Sequence, residues 1–137
     1  MKTTILTACL LITIAAVKAQ DATPAAVKQS FTKLFPGVKA KWEKENNDYE
    51  ANFKKDGKEM SAVFAADGAL KETEMAITVK ELPAGVTDYI AKQYKKASIK
   101  EAAKITKADG TINYEAAVNK TDVIFDANGK FIKEAKD

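Results

Sequence analysis

The stretch FAADGALKE at residues 64–72 returns as FDANGKFIKE at residues 125–134, with the phenylalanines and the glycines each 61 positions apart. A pattern that recurs once constrains the fold more than composition does, because each copy is one supersecondary unit. The rest of the chain follows. DYEANF at 48–53 matches NYEAAV at 113–118, and Pro24-Ala25-Ala26-Val27 matches Pro83-Ala84-Gly85-Val86. The offsets are 59 at the prolines, 65 at the tyrosines and 61 at the glycines, as loops of unequal length would produce. The chain reads as a tandem pair of units of about sixty residues, at 20–80 and 81–137, behind a leader at 1–19 and packed as one compact domain.

Each unit opens with a helix. Thr23 is suited to cap the first and Pro24 to begin it. Val27, Phe31, Leu34 and Phe35 form an apolar stripe at helical spacing, and Pro36-Gly37 ends it. Val86, Ile90 and Tyr94 stand at the corresponding positions of the second unit. The period then changes to two. Val38, Ala40 and Trp42 alternate with polar residues, as do Tyr49, Ala51 and Phe53. After the hairpin pair Asp56-Gly57 come Met60, Ala62 and Phe64, then Asp67-Gly68 and a strand over 70–79. The second unit repeats this through strands at 99–105, 112–118, 123–125 and 131–134, with turns at Asp109-Gly110 and Asn128-Gly129. The fold class is α+β: two helix-plus-antiparallel-meander repeats forming a largely antiparallel sheet with helices on one face.

Asp126, Asn128 and Gly129 spell D-x-N-G, the start of a calcium loop, but the copy at 65–68 lacks the leading acid. What both copies keep is an Asx-Gly pair suited to a type I′ turn. A calcium loop needs several further oxygen ligands, including a bidentate carboxylate downstream, and Glu134 falls on the departing strand. The expectation is a turn, with no metal and no cofactor.

Residues 1–19 read as a secretory signal, with Lys2 at its start, an apolar run over 5–17, and Val17 and Ala19 at the positions a signal peptidase reads. That run of about thirteen residues is shorter than the roughly twenty that span a bilayer, so no membrane span is expected once it is removed. Cys9 follows Leu6-Thr7-Ala8 as a lipidated cysteine would, but apolar residues rather than a polar linker come after it, and it reads as part of the apolar run. The expected compartment is periplasmic or extracellular.

Beyond the leader there is no cysteine, and the whole chain has no histidine and no arginine. That removes the usual base near neutral pH, the thiolate nucleophile and the imidazole and thiolate metal ligands. Ser30, Ser61 and Ser98 stand in no nucleophile-elbow or S-x-x-K setting. Glu72 and Glu74 would share one side of a strand, as a solvated edge. Acids nearly balance lysines, which sets aside nucleic acid as a partner. The chain is expected not to be an enzyme.

Phe35-Pro36, Trp42, Tyr49, residues 64–68, Leu82-Pro83, Tyr114 and residues 125–129 together resemble the PepSY-like family of secreted Bacteroidetes proteins. These are similar in fold to the β-lactamase inhibitor protein, which binds its enzyme across an open sheet face. The resemblance covers the chain beyond the leader and implies helices on one face of an antiparallel sheet. Related PepSY domains are thought to restrain peptidases, although fold analogy alone does not establish function.

Alternation puts Tyr49, Ala51, Phe53, Met60, Ala62, Phe64, Tyr114, Ala116, Val118, Val123 and Phe125 under the helices. The other face would show Glu50, Asn52, Lys54, Ser61, Val63, Glu115, Ala117, Asn119 and Ile124, a solvated surface or a protein-binding one. Trp42 reads as core. Lys54-Lys55 and Lys95-Lys96 read as turn and helix-end charges. The expected function is a non-catalytic module, monomeric, that binds another envelope or extracellular protein, such as a hydrolase or peptidase to be restrained. The alternative is a carrier of a small molecule or ion held between the two repeats.

Overall fold

A computed structural model describes residues 22–136; the leader and Cys9 lie outside the described residues. Helix α1 (Ala25–Leu34) is followed by β1 (Ala40–Glu45), β2 (Asp48–Lys55), β3 (Lys58–Ala65) and β4 (Leu70–Ile77). Helix α2 (Ala84–Gln93) is followed by β5 (Glu101–Lys107), β6 (Ile112–Val118), β7 (Thr121–Asp126) and β8 (Phe131–Lys136). In the first unit the strand order is β1-β2-β3-β4, and in the second it is β5-β6-β7-β8. The pairs β1–β2, β2–β3, β3–β4, β6–β7 and β7–β8 are antiparallel. The described chain divides into a first unit, residues 22–75 with 106–110, and a second, residues 76–105 with 111–136.

In the first unit α1 begins one position later than expected. Pro24 is the N-cap rather than the first helical residue, and its carbonyl accepts from the Lys28 N–H at 3.1 Å. Thr23 is therefore not the cap. Phe35 closes the helix on the Phe31 carbonyl at 2.8 Å, and Gly37 turns the chain out with φ +77°. The buried stripe of α1, Val27 and Phe31, packs on Ala51, Phe53, Ala62 and Phe64. Phe31 meets Trp42, Phe53 and Phe64 edge to face, with centroids 5.3, 5.1 and 6.4 Å away, a favoured arrangement for aromatic rings. Trp42 is half-buried in this cluster, as its alternation indicates.

In the second unit Pro83 is likewise the N-cap of α2, and Val86 and Ile90 pack on Ala102, Ala116, Val118, Val123 and Phe125. Tyr89 stacks on Phe131 at 4.8 Å. The Tyr94 hydroxyl at the end of α2 donates to the Glu134 carboxylate on β8. Burial first, and then Glu134, hold that hydroxyl's pKa above the usual tyrosine range.

The Asx-Gly turns divide into two kinds. At Asp56-Gly57 both residues have positive φ, as a two-residue type I′ hairpin requires. At Asp67-Gly68 and Asn128-Gly129 only the glycine does, which corrects the type I′ expectation there. Gly68 N–H donates to the Ala65 carbonyl at 2.9 Å and Gly129 N–H to that of Asp126 at 3.0 Å. Register shifts follow at Val63/Phe64 and Ile124/Phe125. This is the bulged hairpin, one residue longer. Asp126 Oδ1 accepts from the amides of Asn128 and Lys130 at 2.9 and 3.0 Å, so this oxygen of the D-x-N-G acid is engaged within its own turn.

Candidate functional site: the sheet face away from the helices

Side chains alternate across a strand, so the residues between the core positions share the opposite face. In the first unit the register sets them in rows. Glu43 stands opposite Glu50, Glu50 opposite Val63, and Val63 opposite Glu72. The next row runs Lys41, Asn52, Ser61, Glu74. In the second unit Glu115, Ile124 and Lys133 form one row, and Ala117, Asp122 and Ala135 another. Neither hydrophobic core contains any of these residues.

Of the nine residues expected on this face, Glu50, Asn52, Lys54, Ser61 and Val63 come together on β2 and β3, and Glu115, Ala117 and Ile124 on β6 and β7. Asn119 follows the end of β6, in a tight turn with φ +52°. Depth differs from the picture of a uniformly solvated face. Lys54 and Asn119 are exposed, and Asn52, Ser61, Val63 and Ala117 are half-buried. Glu50, Glu115 and Ile124 are buried, with 7%, 0% and 4% of their surface exposed. Lys54 pairs with Glu59 at 3.0 Å.

Burial is the largest influence on Glu50. Together with the negative charge of Glu45, Glu43 and Glu72, it pushes the carboxyl up to about 7, against the lowering effect of a hydrogen bond with Ser61. Glu45 is also raised, by burial first and then by Glu43 and Asp48. Glu72 is half-buried 3.8 Å from the Lys107 ammonium, and the Ala108 N–H donates to the Lys71 carbonyl at 2.8 Å. The end of β5 thus lies against β4, so Glu72 and Glu74 do not stand on a free edge.

Glu43, Glu45, Glu72 and Asp122 were not among the expected site residues. The first two could have been found from EKENNDYE. A two-residue loop at Asn46-Asn47 forces Glu45 opposite Asp48 and Glu43 opposite Glu50. Asp122 escaped because β7 starts at Thr121, two residues before the expected Val123. Among the described residues no group of three or more acids is arranged to hold a metal ion. No helix there is long and apolar enough to cross a membrane.

The sequence model of the family described as "Putative beta-lactamase-inhibitor-like, PepSY-like" matches residues 13–61 and 47–133. No curated protein matches the chain. Among solved structures, a protein described as "putative periplasmic" from Bacteroides eggerthii superposes with a TM-score of 0.73 at 17% identity, over 82% of this chain and 88% of its own. A DUF2874 family protein from Bacteroides uniformis gives 0.72 at 17% identity, with the same coverages. A BLIP-like protein from Bacteroides fragilis gives 0.66 at 22% identity, over 82% of this chain and 85% of its own. At such identities the likeness is one of fold.

Proposed function

The chain belongs to the beta-lactamase-inhibitor-like, PepSY-like family, and from that premise we propose that it is a non-catalytic protein-binding module of the cell envelope or the extracellular space. In this reading two tandem helix-plus-meander repeats present the sheet face away from the helices to another protein, such as a hydrolase or peptidase that the contact restrains. The observation that carries it is the asymmetry of the strands. One side of β2, β3, β6 and β7 supplies both hydrophobic cores, while the other carries the exposed Lys54 and the half-buried Asn52, Ser61 and Ala117, which no core contains. Polar side chains on ordered strands can offer positioned hydrogen-bonding groups to a partner at little entropic cost. A periplasmic or secreted location is consistent with the Bacteroides structures of like fold and with the signal-like leader.

The test is affinity capture from an envelope extract, with the protein and its Asn52→Lys, Ser61→Lys variant as paired baits. These two residues face each other across β2 and β3. A partner retained by the wild type and lost by the variant is the expected result. Equal retention by both would remove the sheet face from the reading.

A further inference from the structure

Among the described residues strand β1 is hydrogen-bonded to β2 alone, and its two faces meet opposite conditions. On the helix side Trp42 packs against Phe31 and Phe64, with centroids 5.3 and 6.2 Å away. On the other side Glu43 lies directly across from Glu50, with Glu45 one pleat further along the same strand. Like charges directly opposite in an antiparallel pair repel and weaken it. Glu50 is deep in the face, 7% exposed, while Glu43 is exposed, so a charge on Glu50 is opposed first by its own burial and then by Glu45 and Glu43.

The surrounding charges do not cancel it. Lys41 stands one pleat from Glu43, across from Asn52 rather than Glu50. Of the acids on β2 and β3, Asp48 is bonded to Lys71 at 2.5 Å and Glu59 to Lys54 at 3.0 Å. From β4, Glu72 and Glu74 face the same side, and Lys107 approaches Glu72 at 3.8 Å. The β1–β2 pair is thus held by aromatic packing on one side and opposed, on the other, whenever the buried Glu50 carries a charge facing Glu43.

We propose that β1 is a proton-controlled edge strand: a proton on Glu50 lets β1 close on β2, and its loss sets Glu50 against Glu43 and loosens the strand. The raised affinity of Glu50 for its proton is consistent with this geometry. The same event changes the charge of the face at Asn52 and Ser61, though the switch belongs to the chain itself and does not depend on any partner.

The chain has one tryptophan, and it sits on this strand, so its fluorescence reads the switch directly. Trp42 emission is followed between about pH 5 and about pH 9, where a histidine-free chain has few ordinary titrations besides Cys9 and the α-amino group. The expected result is a shift to longer wavelength with a midpoint of about 7. Glu50→Gln is expected to hold the short-wavelength emission throughout. Should that variant fail to fold, Glu43→Gln carries the test, because removing the opposing charge should lower the midpoint. The carboxyl carbon of Glu50, followed by NMR, should titrate with the same midpoint as the emission. Flat emission in the wild type, a shift that persists in Glu50→Gln, or a Glu50 carboxyl titrating near about 4.3 would each overturn the proposal.

Discussion

Glu50 occupies a position where a neutral side chain of the same shape would suit the fold better. Its folded-state proton affinity lies above that of the unfolded chain, so the folded form is favoured when the proton is on. The contribution of Glu50 to stability should therefore be fully present below its unfolded pKa of about 4.3 and be lost as pH rises through about 7. Glu50→Gln removes the ionisation and keeps a group that can bond Ser61. It should raise unfolding free energy by about 2 kcal/mol at pH 8, with the advantage shrinking toward pH 5. Urea melts at the two pH values measure this directly, and a variant less stable than wild type at pH 8 would contradict it. A second pair of residues separates conformation from contact. A Cβ on Gly68 would lie 2.7 Å from the Ala26 carbonyl and 2.8 Å from Ser30 Oγ, with φ already at +91°. A Cβ on Gly110, at φ +86°, would meet nothing within 4 Å. Gly110→Ala should cost about 1 kcal/mol from backbone strain alone. Gly68→Ala should cost about 3 kcal/mol, because the start of α1 must also move. Equal losses in thermal melts would mean that the close approach has no energetic weight.

At the scale of elements, what the sequence made legible is what alternation and turn chemistry encode. Val27 and Phe31, at helical spacing, mark the buried stripe of α1. The period-two runs over β2, β3 and β6 assign Ala51, Phe53, Ala62, Phe64, Ala116 and Val118 to the core side without error. Alternation gives a side, however, and not a depth. Nothing local to Glu50 or Glu115 announces a buried carboxylate, since both stand between apolar neighbours as any solvated strand residue would. Turn geometry was legible where two adjacent residues must take positive φ, as at Asp56-Gly57. It was misread at Asp67-Gly68 and Asn128-Gly129, where an Asx-Gly pair serves equally well in a longer bulged hairpin. The turn at Asn119-Lys120 gave no signal, because Lys120 has φ +61° without being a residue suited to it. Helix α1 leans on Phe31, which contacts four other rings. Phe31→Ala should cost about 3–5 kcal/mol and expose Trp42, so the loss in stability should come with a red-shifted native emission. A loss of under about 1 kcal/mol would show that the helix is held by other contacts.

For the whole molecule, function depends on which surface a partner meets, and the two kinds of surface can be separated by charge placed at a distance. Leu34, at the end of α1, is 49% exposed and stands on the helix side of the first unit. A glutamate there adds charge and removes an exposed apolar group without touching the row of Asn52 and Ser61. If a partner docks on the sheet face, Leu34→Glu should capture it as the wild type does, while Asn52→Lys, Ser61→Lys should not. Because surface charges separated by more than a Debye length of about 8 Å are largely screened at physiological salt, nonspecific electrostatic capture would weaken steadily as salt is raised. A shape-dependent contact on ordered strands should retain most of its affinity. The pattern that would count against the sheet face is the reverse one, with capture lost in Leu34→Glu and kept in the double variant, for then the helix side would carry the contact. Thermal melts of each variant must accompany the capture. The two lysines replace half-buried residues, and a loss of binding carries meaning only where the variant is still folded.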